Sequence, residues 1–123
     1  MKRILIVDDA ATVRMYHRNI LEGAGYAVDE AINGIEALEK ALQNPFDLYL
    51  VDINMPKLDG YGFLSQLRRE EIDQAPAIMI STEAAANDQT TAYRAGGNGY
   101  FVKPIKPVQL LTYVRILLGE VRP

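Results

Sequence analysis

Leu48-Tyr49-Leu50-Val51-Asp52-Ile53-Asn54-Met55-Pro56 is the stretch on which the fold turns. Four apolar residues in a row, without polar alternation, suit a strand covered on both faces, and such strands belong to parallel sheets. The run stops on a carboxylate, and Asp59-Gly60 soon afterwards marks a turn and a helix start. Working outward, the same design recurs. Ile4-Leu5-Ile6-Val7 precedes Asp8-Asp9, Ile78-Met79-Ile80 precedes Ser81-Thr82-Glu83, and Tyr100-Phe101-Val102 precedes Lys103-Pro104. A fifth, shorter run, Tyr26-Ala27-Val28, has no such polar ending.

Helical spacing fills the intervals. Val13, Tyr16, Ile20 and Ala24 predict one apolar face, with Gly23 and Gly25 closing the helix. Asn33 with Glu36 three residues on resembles a capping box, and Ile35, Leu38 and Leu42 share a face behind it. A third helix carries Phe63, Leu64 and Leu67, and a weaker fourth runs from about Asn87 to Ala95. The fifth starts at Pro107, where proline suits the first turn. Strand and helix alternate five times, which predicts an α/β fold: a parallel five-stranded sheet, doubly wound, with helices on both faces.

The remaining sequence bounds the function. A chain of 123 residues, 49% hydrophobic and 24% charged, is one globular domain's worth, and residues 1–123 are read as a single domain. The absence of cysteine excludes disulfides and thiolate metal sites and fits a cytoplasmic location. A net charge of −3 gives no field for nucleic acid. No apolar run has the length of a membrane span, and the start at Met1-Lys2-Arg3 lacks the apolar region and cleavage site of a signal peptide.

Chemistry in a doubly wound sheet collects at the carboxyl ends of the strands. Here four of the five ends carry it: Asp8-Asp9, Asp52, Ser81-Thr82 and Lys103. If those strands are neighbours, three carboxylates, one or two hydroxyls and one ammonium share a pocket. Crowded carboxylates call for a positive partner. Oxygen ligands without histidine or cysteine favour magnesium over zinc. Lys103 supplies a point charge suited to a phosphoryl oxygen. Carboxylate, magnesium, lysine and hydroxyl together make a phosphoryl-transfer set. Each piece alone has a plainer meaning: an acidic helix start, strand-end hydroxyls, a surface lysine.

These motifs resemble the response-regulator receiver domain of two-component signalling, in particular its stand-alone chemotaxis type. They are Ile6-Val7-Asp8-Asp9, Asn33-Gly34-Ile35-Glu36-Ala37, Leu50 to Pro56 with Asp59-Gly60, Ser81-Thr82-Glu83-Ala84 and Gly99-Tyr100-Phe101-Val102-Lys103-Pro104. The resemblance implies the flavodoxin-like strand order 2-1-3-4-5 and a set of roles. Asp52 is the expected phosphoacceptor. Asp9, Asp52 and the backbone carbonyl of Asn54 are expected to hold Mg2+, and Asp8 to act mainly through a metal-bound water. Lys103 and Ser81 are expected to contact the phosphoryl group, with Ser81 and Tyr100 forming the switch. A cis Lys103–Pro104 bond is expected. Thr82 departs from the small residue usual after the switch hydroxyl and is expected to narrow access to Asp52. Asn54 and Glu83 occupy positions that tune the phosphorylated lifetime.

The resemblance also implies partners: a sensor histidine kinase or phosphotransfer protein as donor, and an output protein, with chemotaxis one pathway it suggests. A monomer or a phosphorylation-dependent dimer is expected. Arg14, His17 and Arg18 are read as lying on the non-core side of the first helix, either facing the donor or solvated, with His17 in solvent. The fifth helix carries more apolar residues than one buried stripe needs. Tyr93, Tyr100, Lys106, Gln109, Leu110 and Tyr113 are therefore placed on an output face; a wide core stripe is the alternative. Competing functions are a phosphohydrolase, disfavoured because Asn54 stands where an acid–base aspartate would, a constitutive interaction module, and the detached receiver of a DNA-binding regulator.

Overall fold

The computed structural model describes residues 1–82 and 86–120 of the chain. Strands and helices alternate from β1 (Arg3–Val7) and α1 (Ala11–Gly23) through β2 (Ala27–Ala31), α2 (Gly34–Gln43), β3 (Leu48–Asp52), α3 (Gly60–Leu67), β4 (Ala77–Ser81), α4 (Ala86–Arg94), β5 (Gly99–Val102) and α5 (Pro107–Leu117). The sheet is wholly parallel, in the order β2-β1-β3-β4-β5.

Alternate residues of the strands build two cores. Leu5, Val7, Tyr49, Val51, Ala77 and Met79 meet α2, α3 and α4 through Ala37, Ala41, Phe63, Leu64, Leu67 and Ala92. Ile4, Ile6, Leu48, Leu50, Ile78 and Ile80 meet α1 and α5 through Leu21, Leu110 and Val114. Each fully buried Leu, Ile or Phe contributes about 1.5–3 kcal/mol through removal from water. This two-sided burial is why β3 and β4 are apolar along their length. Edge strand β2 instead runs through Asp29 and Glu30, whose charges are met by Lys40, Arg14 and Arg18.

Two helices start as their sequences predict. The Asn33 side chain accepts from the Glu36 N–H at 2.9 Å, and the Glu36 carboxylate accepts from the Ile32 N–H at 3.0 Å. Asp59 caps α3 by accepting from the Gly62 N–H at 2.7 Å. The Lys103–Pro104 bond is cis.

Helix rotation differs from the expected faces. In α1 the buried residues are His17 and Leu21, while Tyr16 is exposed. Tyr16 sits at the helix margin, where its hydroxyl donates to the Ile105 carbonyl at 3.1 Å. In α2 the buried residues are Gly34, Ala37 and Ala41, and Ile35 and Leu42 are exposed. Small residues let this helix pack closely: a Cβ on Gly34 would fall 2.4 Å from the Leu58 carbonyl oxygen in the loop between β3 and α3, and Ala37 and Ala41 lie buried in the core. The larger residues are displaced to its flanks.

Candidate functional site

Parallel register brings the polar strand ends to one level. Val7 pairs with Val51, Asp52 with Ile80, and Ser81 with Val102. Asp8, Asp52, Ser81 and Lys103 therefore all sit at the carboxyl rim of four adjacent strands. Asp8, Asp52 and Ser81 are buried, and Asp9 is exposed. One carboxylate oxygen from each of Asp8, Asp9 and Asp52 lies within 4.8 Å of the others.

Backbone groups hold two of the acids. The Asp8 carboxylate accepts from the Ala10 N–H at 2.8 Å, and Asp52 accepts from the Asn54 N–H at 3.1 Å. The loop between β3 and α3 closes tightly over this end, since the Gly60 N–H donates to the Ile53 carbonyl at 3.0 Å. Lys103 enters from β5. Its Nζ is 3.1 Å from Asp8 Oδ2 and 3.3 Å from Asp52 Oδ2, and its backbone N–H donates to the Ser81 carbonyl at 2.7 Å.

One ammonium facing three carboxylates leaves the pocket short of positive charge. Burial, and then the charge of Asp8, pushes the Asp52 carboxyl above its ordinary range, and Lys103 and the Asn54 N–H offset this only in part. Burial opposes the charge on Lys103, but the hydrogen bonds and charges of Asp8 and Asp52 outweigh it and hold the ammonium above the usual lysine range. An all-oxygen donor set with excess negative charge fits a hard divalent cation.

The other expected positions divide. Asn54 is exposed at the mouth of the site, and Thr82 is exposed immediately after Ser81. Tyr100 is half-buried on β5 against the α2–α3–α4 core. Lys106 and Gln109 are exposed, as is Tyr93, and Tyr113 is half-buried with its hydroxyl donating to the Asn98 carbonyl at 3.2 Å. Leu110 is a correction: it is fully buried between α5 and the sheet and cannot lie on an output face. Val108, at 78% exposure, and Ile116 are the apolar residues that α5 turns outward instead. Glu83 and Ala84 fall outside the described residues.

His17 is a second correction. It is buried, its Nδ1 finds no hydrogen-bond partner among the described residues, and burial lowers its pKa despite the opposing charge of Asp8. The imidazole lies in a cleft of about 310 Å³ between α1 and the residues after β5, with Val13, Tyr16, Lys103 and Ile105. Periodicity alone gave no sign of this, because a histidine between two arginines reads as polar surface. Arg14 is also more enclosed than expected, with its Nε on Glu30 at 2.7 Å and its Nη1 on the Asp8 carbonyl at 2.8 Å.

Known proteins resemble this chain in sequence and fold. The response regulator receiver domain family matches residues 4–115. The transcriptional regulatory protein ResD of Bacillus subtilis is 38% identical over 94% of this chain and 48% of its own length. The chemotaxis protein CheY1 of Helicobacter pylori is 38% identical over 95% of this chain and 97% of its own. The chain thus spans about half the length of the curated transcriptional regulators it matches and nearly all of the chemotaxis protein. Among solved structures, Vibrio cholerae chemotaxis protein CheY4 superposes with a TM-score of 0.89 at 33% identity, covering 95% of this chain and 98% of that one. The receiver domain of a sensor histidine kinase from Pseudomonas aeruginosa, solved with a magnesium ion coordinated in its active-site cleft, has a TM-score of 0.89 at 29% identity, covering 96% and 98%. Fold, acidic cluster and sequence agree: this chain belongs to the response regulator receiver domain family, the phosphoacceptor switches of two-component signalling.

Proposed function

We propose that Asp52 is the residue that accepts the phosphoryl group, from a histidine kinase or phosphotransfer protein. The observation that carries this assignment is the position of the Asp52 carboxylate. It is buried at the end of β3, grouped with Asp8 and Asp9, and 3.3 Å from Lys103 Nζ. A carboxylate oxygen of Asp52 attacks phosphorus in line, the O–P bond forms as the N–P bond of the donor breaks, and the leaving imidazole keeps the electron pair. Asp8, Asp9, Asp52 and the Asn54 carbonyl are the groups proposed to hold Mg2+, which when bound supplies charge stabilisation at the phosphoryl oxygens. Lys103 swings from the carboxylates to the new phosphoryl oxygens, and the Ser81 hydroxyl joins it.

That rearrangement is proposed to reach Tyr100 and the face formed by α4, β5 and α5, where Tyr93, Lys106, Gln109 and Tyr113 contact an output protein. The cleft beside Lys103 on α1 is the approach proposed for the donor. The chain acts as a switch that catalyses its own phosphorylation and dephosphorylation, in the cytoplasm, with residues 1–123 as one receiver unit. Among the described residues no helix is long and apolar enough to cross a membrane.

Phosphorylation with acetyl phosphate and Mg2+ tests the assignment. Wild type takes up one hydroxylamine-sensitive label, as an acyl phosphate does, Asp52→Ala takes up none, and Thr82→Ala is labelled faster because the mouth is wider. Label on Asp52→Ala equal to wild type would remove Asp52 as acceptor.

A further inference from the structure

We propose that Arg14 is a positioning residue for the metal-binding acids, acting through the peptide that joins Asp8 to Asp9. This inference rests on the magnesium reading of the acidic cluster.

The three carboxylates are not secured alike. Asp8 is tied by the Ala10 N–H and Lys103, and Asp52 by the Asn54 N–H and Lys103. Asp9 is exposed, and among the described residues its side chain has no hydrogen bond or ion pair. The direction in which Asp9 points is therefore set by its backbone. The Asp8 N–H is fixed by donating to the Ala31 carbonyl at 3.0 Å, as the last rung of the β1–β2 ladder. The Asp8 carbonyl, one residue past the end of β1, belongs to the peptide that leads into Asp9. Arg14 Nη1 donates to it at 2.8 Å.

Arg14 is itself held. Its Nε donates to Glu30 on β2 at 2.7 Å, and its side chain is only 15% exposed. Glu30 also binds Arg18, and Lys40 Nζ donates to the Glu30 carbonyl at 2.5 Å. The guanidinium is thus a planar bracket between β2 and the Asp8–Asp9 peptide. A lysine ammonium, a point charge without that fork, does not reproduce the paired geometry. Removing a group that orients metal ligands in this way typically costs about 10–100-fold in metal affinity or activity.

Arg18 provides the contrast. It has the same charge, lies on the same helix and binds the same Glu30, yet its other contacts are Glu22 at 3.2 Å and the Val28 carbonyl at 3.1 Å, away from the metal-binding acids. Charge and positioning also predict opposite signs. Removing a cation near an acidic cluster should tighten Mg2+ by Coulomb's law. Loss of orientation should weaken it.

Calorimetric titration of the full chain with MgCl2, alongside urea denaturation of each protein without metal, separates these effects. Arg14→Met is expected to bind Mg2+ about tenfold more weakly, and Arg14→Lys is also expected to bind it more weakly than wild type. Arg18→Met is expected to stay within about twofold of wild type, since it leaves the Asp8 carbonyl contact intact. Labelling by acetyl phosphate is expected to recover in Arg14→Met at saturating Mg2+, because Arg14 touches no reacting atom. If Arg14→Met does not fold, Arg14→Lys carries the test. Unchanged or tighter Mg2+ binding in the Arg14 variants overturns the proposal, as does an equal loss in Arg18→Met. An absence of Mg2+ binding by wild type overturns the magnesium reading itself.

Discussion

Asp52 and His17 show how little a residue's type says about its state until its neighbours are known. Asp52 is 4% exposed, and burial together with Asp8 raises its pKa. For an acid shifted upward, the folded state binds its proton more tightly than the unfolded state does. Stability is then greater below the folded pKa and falls as pH rises through it. Asp52→Asn removes that cost and keeps an oxygen for the Asn54 N–H. Without metal, the Asn variant should be more stable than wild type at pH 7, and the difference should shrink as pH is lowered through the carboxylate range. Urea unfolding in the presence of chelator at several pH values checks this; equal stability at pH 7 would show that Lys103 fully compensates the buried charge. His17 is held on its neutral side by burial, so it adds no charge to the Lys103 end of the site near neutral pH.

At the scale of elements, close approach matters more than propensity. The turn from β3 into α3 brings Gly60 so near the Asp52 backbone that a Cβ there would lie 2.5 Å from the Asp52 carbonyl oxygen and 2.9 Å from Ile53 Cα. Neither atom belongs to a flexible side chain. Gly60→Ala should therefore cost roughly 1–3 kcal/mol, as overpacking does, and should slow labelling by displacing Asp52. A urea midpoint and an acetyl phosphate time course measure the two effects, and a wild-type midpoint would mean that the loop yields freely. The same logic explains α2, whose Gly34, Ala37 and Ala41 face inward while Ile35 and Leu42 do not. Hydrophobicity patterns favour large residues as the core side, but a helix lying tightly on a sheet buries its small ones.

For the whole molecule, the site ties four strands together. Asp8 and Asp9 after β1, Asp52 on β3, Ser81 on β4 and Lys103 beyond β5 come from across the chain, and an ion held by the three carboxylates would join β1 to β3, which the folded state alone brings together. A ligand that binds only the folded state stabilises it by mass action, about 2.7 kcal/mol at a hundredfold excess over Kd. Mg2+ at that excess should raise the unfolding free energy of wild type by this amount and that of Asp52→Ala by less. Denaturation curves with and without MgCl2 decide it; no shift in wild type would argue against a metal site.

Alternation of apolar runs with helical spacing was enough to determine a doubly wound parallel sheet, because strands buried on both faces leave an unmistakable run of apolar residues. Polar residues at the ends of those runs were enough to indicate Asp8, Asp9, Asp52, Ser81 and Lys103, since strand ends in such a sheet share one rim. Tertiary structure alone decided the rotation of α1 and α2 about their axes, the burial of His17 and Leu110, and the grip of Arg14 on the Asp8 carbonyl. The physical reason is one of range. Local periodicity records which residues are apolar, whereas the depth at which a helix settles, and the carbonyl that a guanidinium reaches, depend on atoms that are distant in the chain and meet only after the sheet has formed.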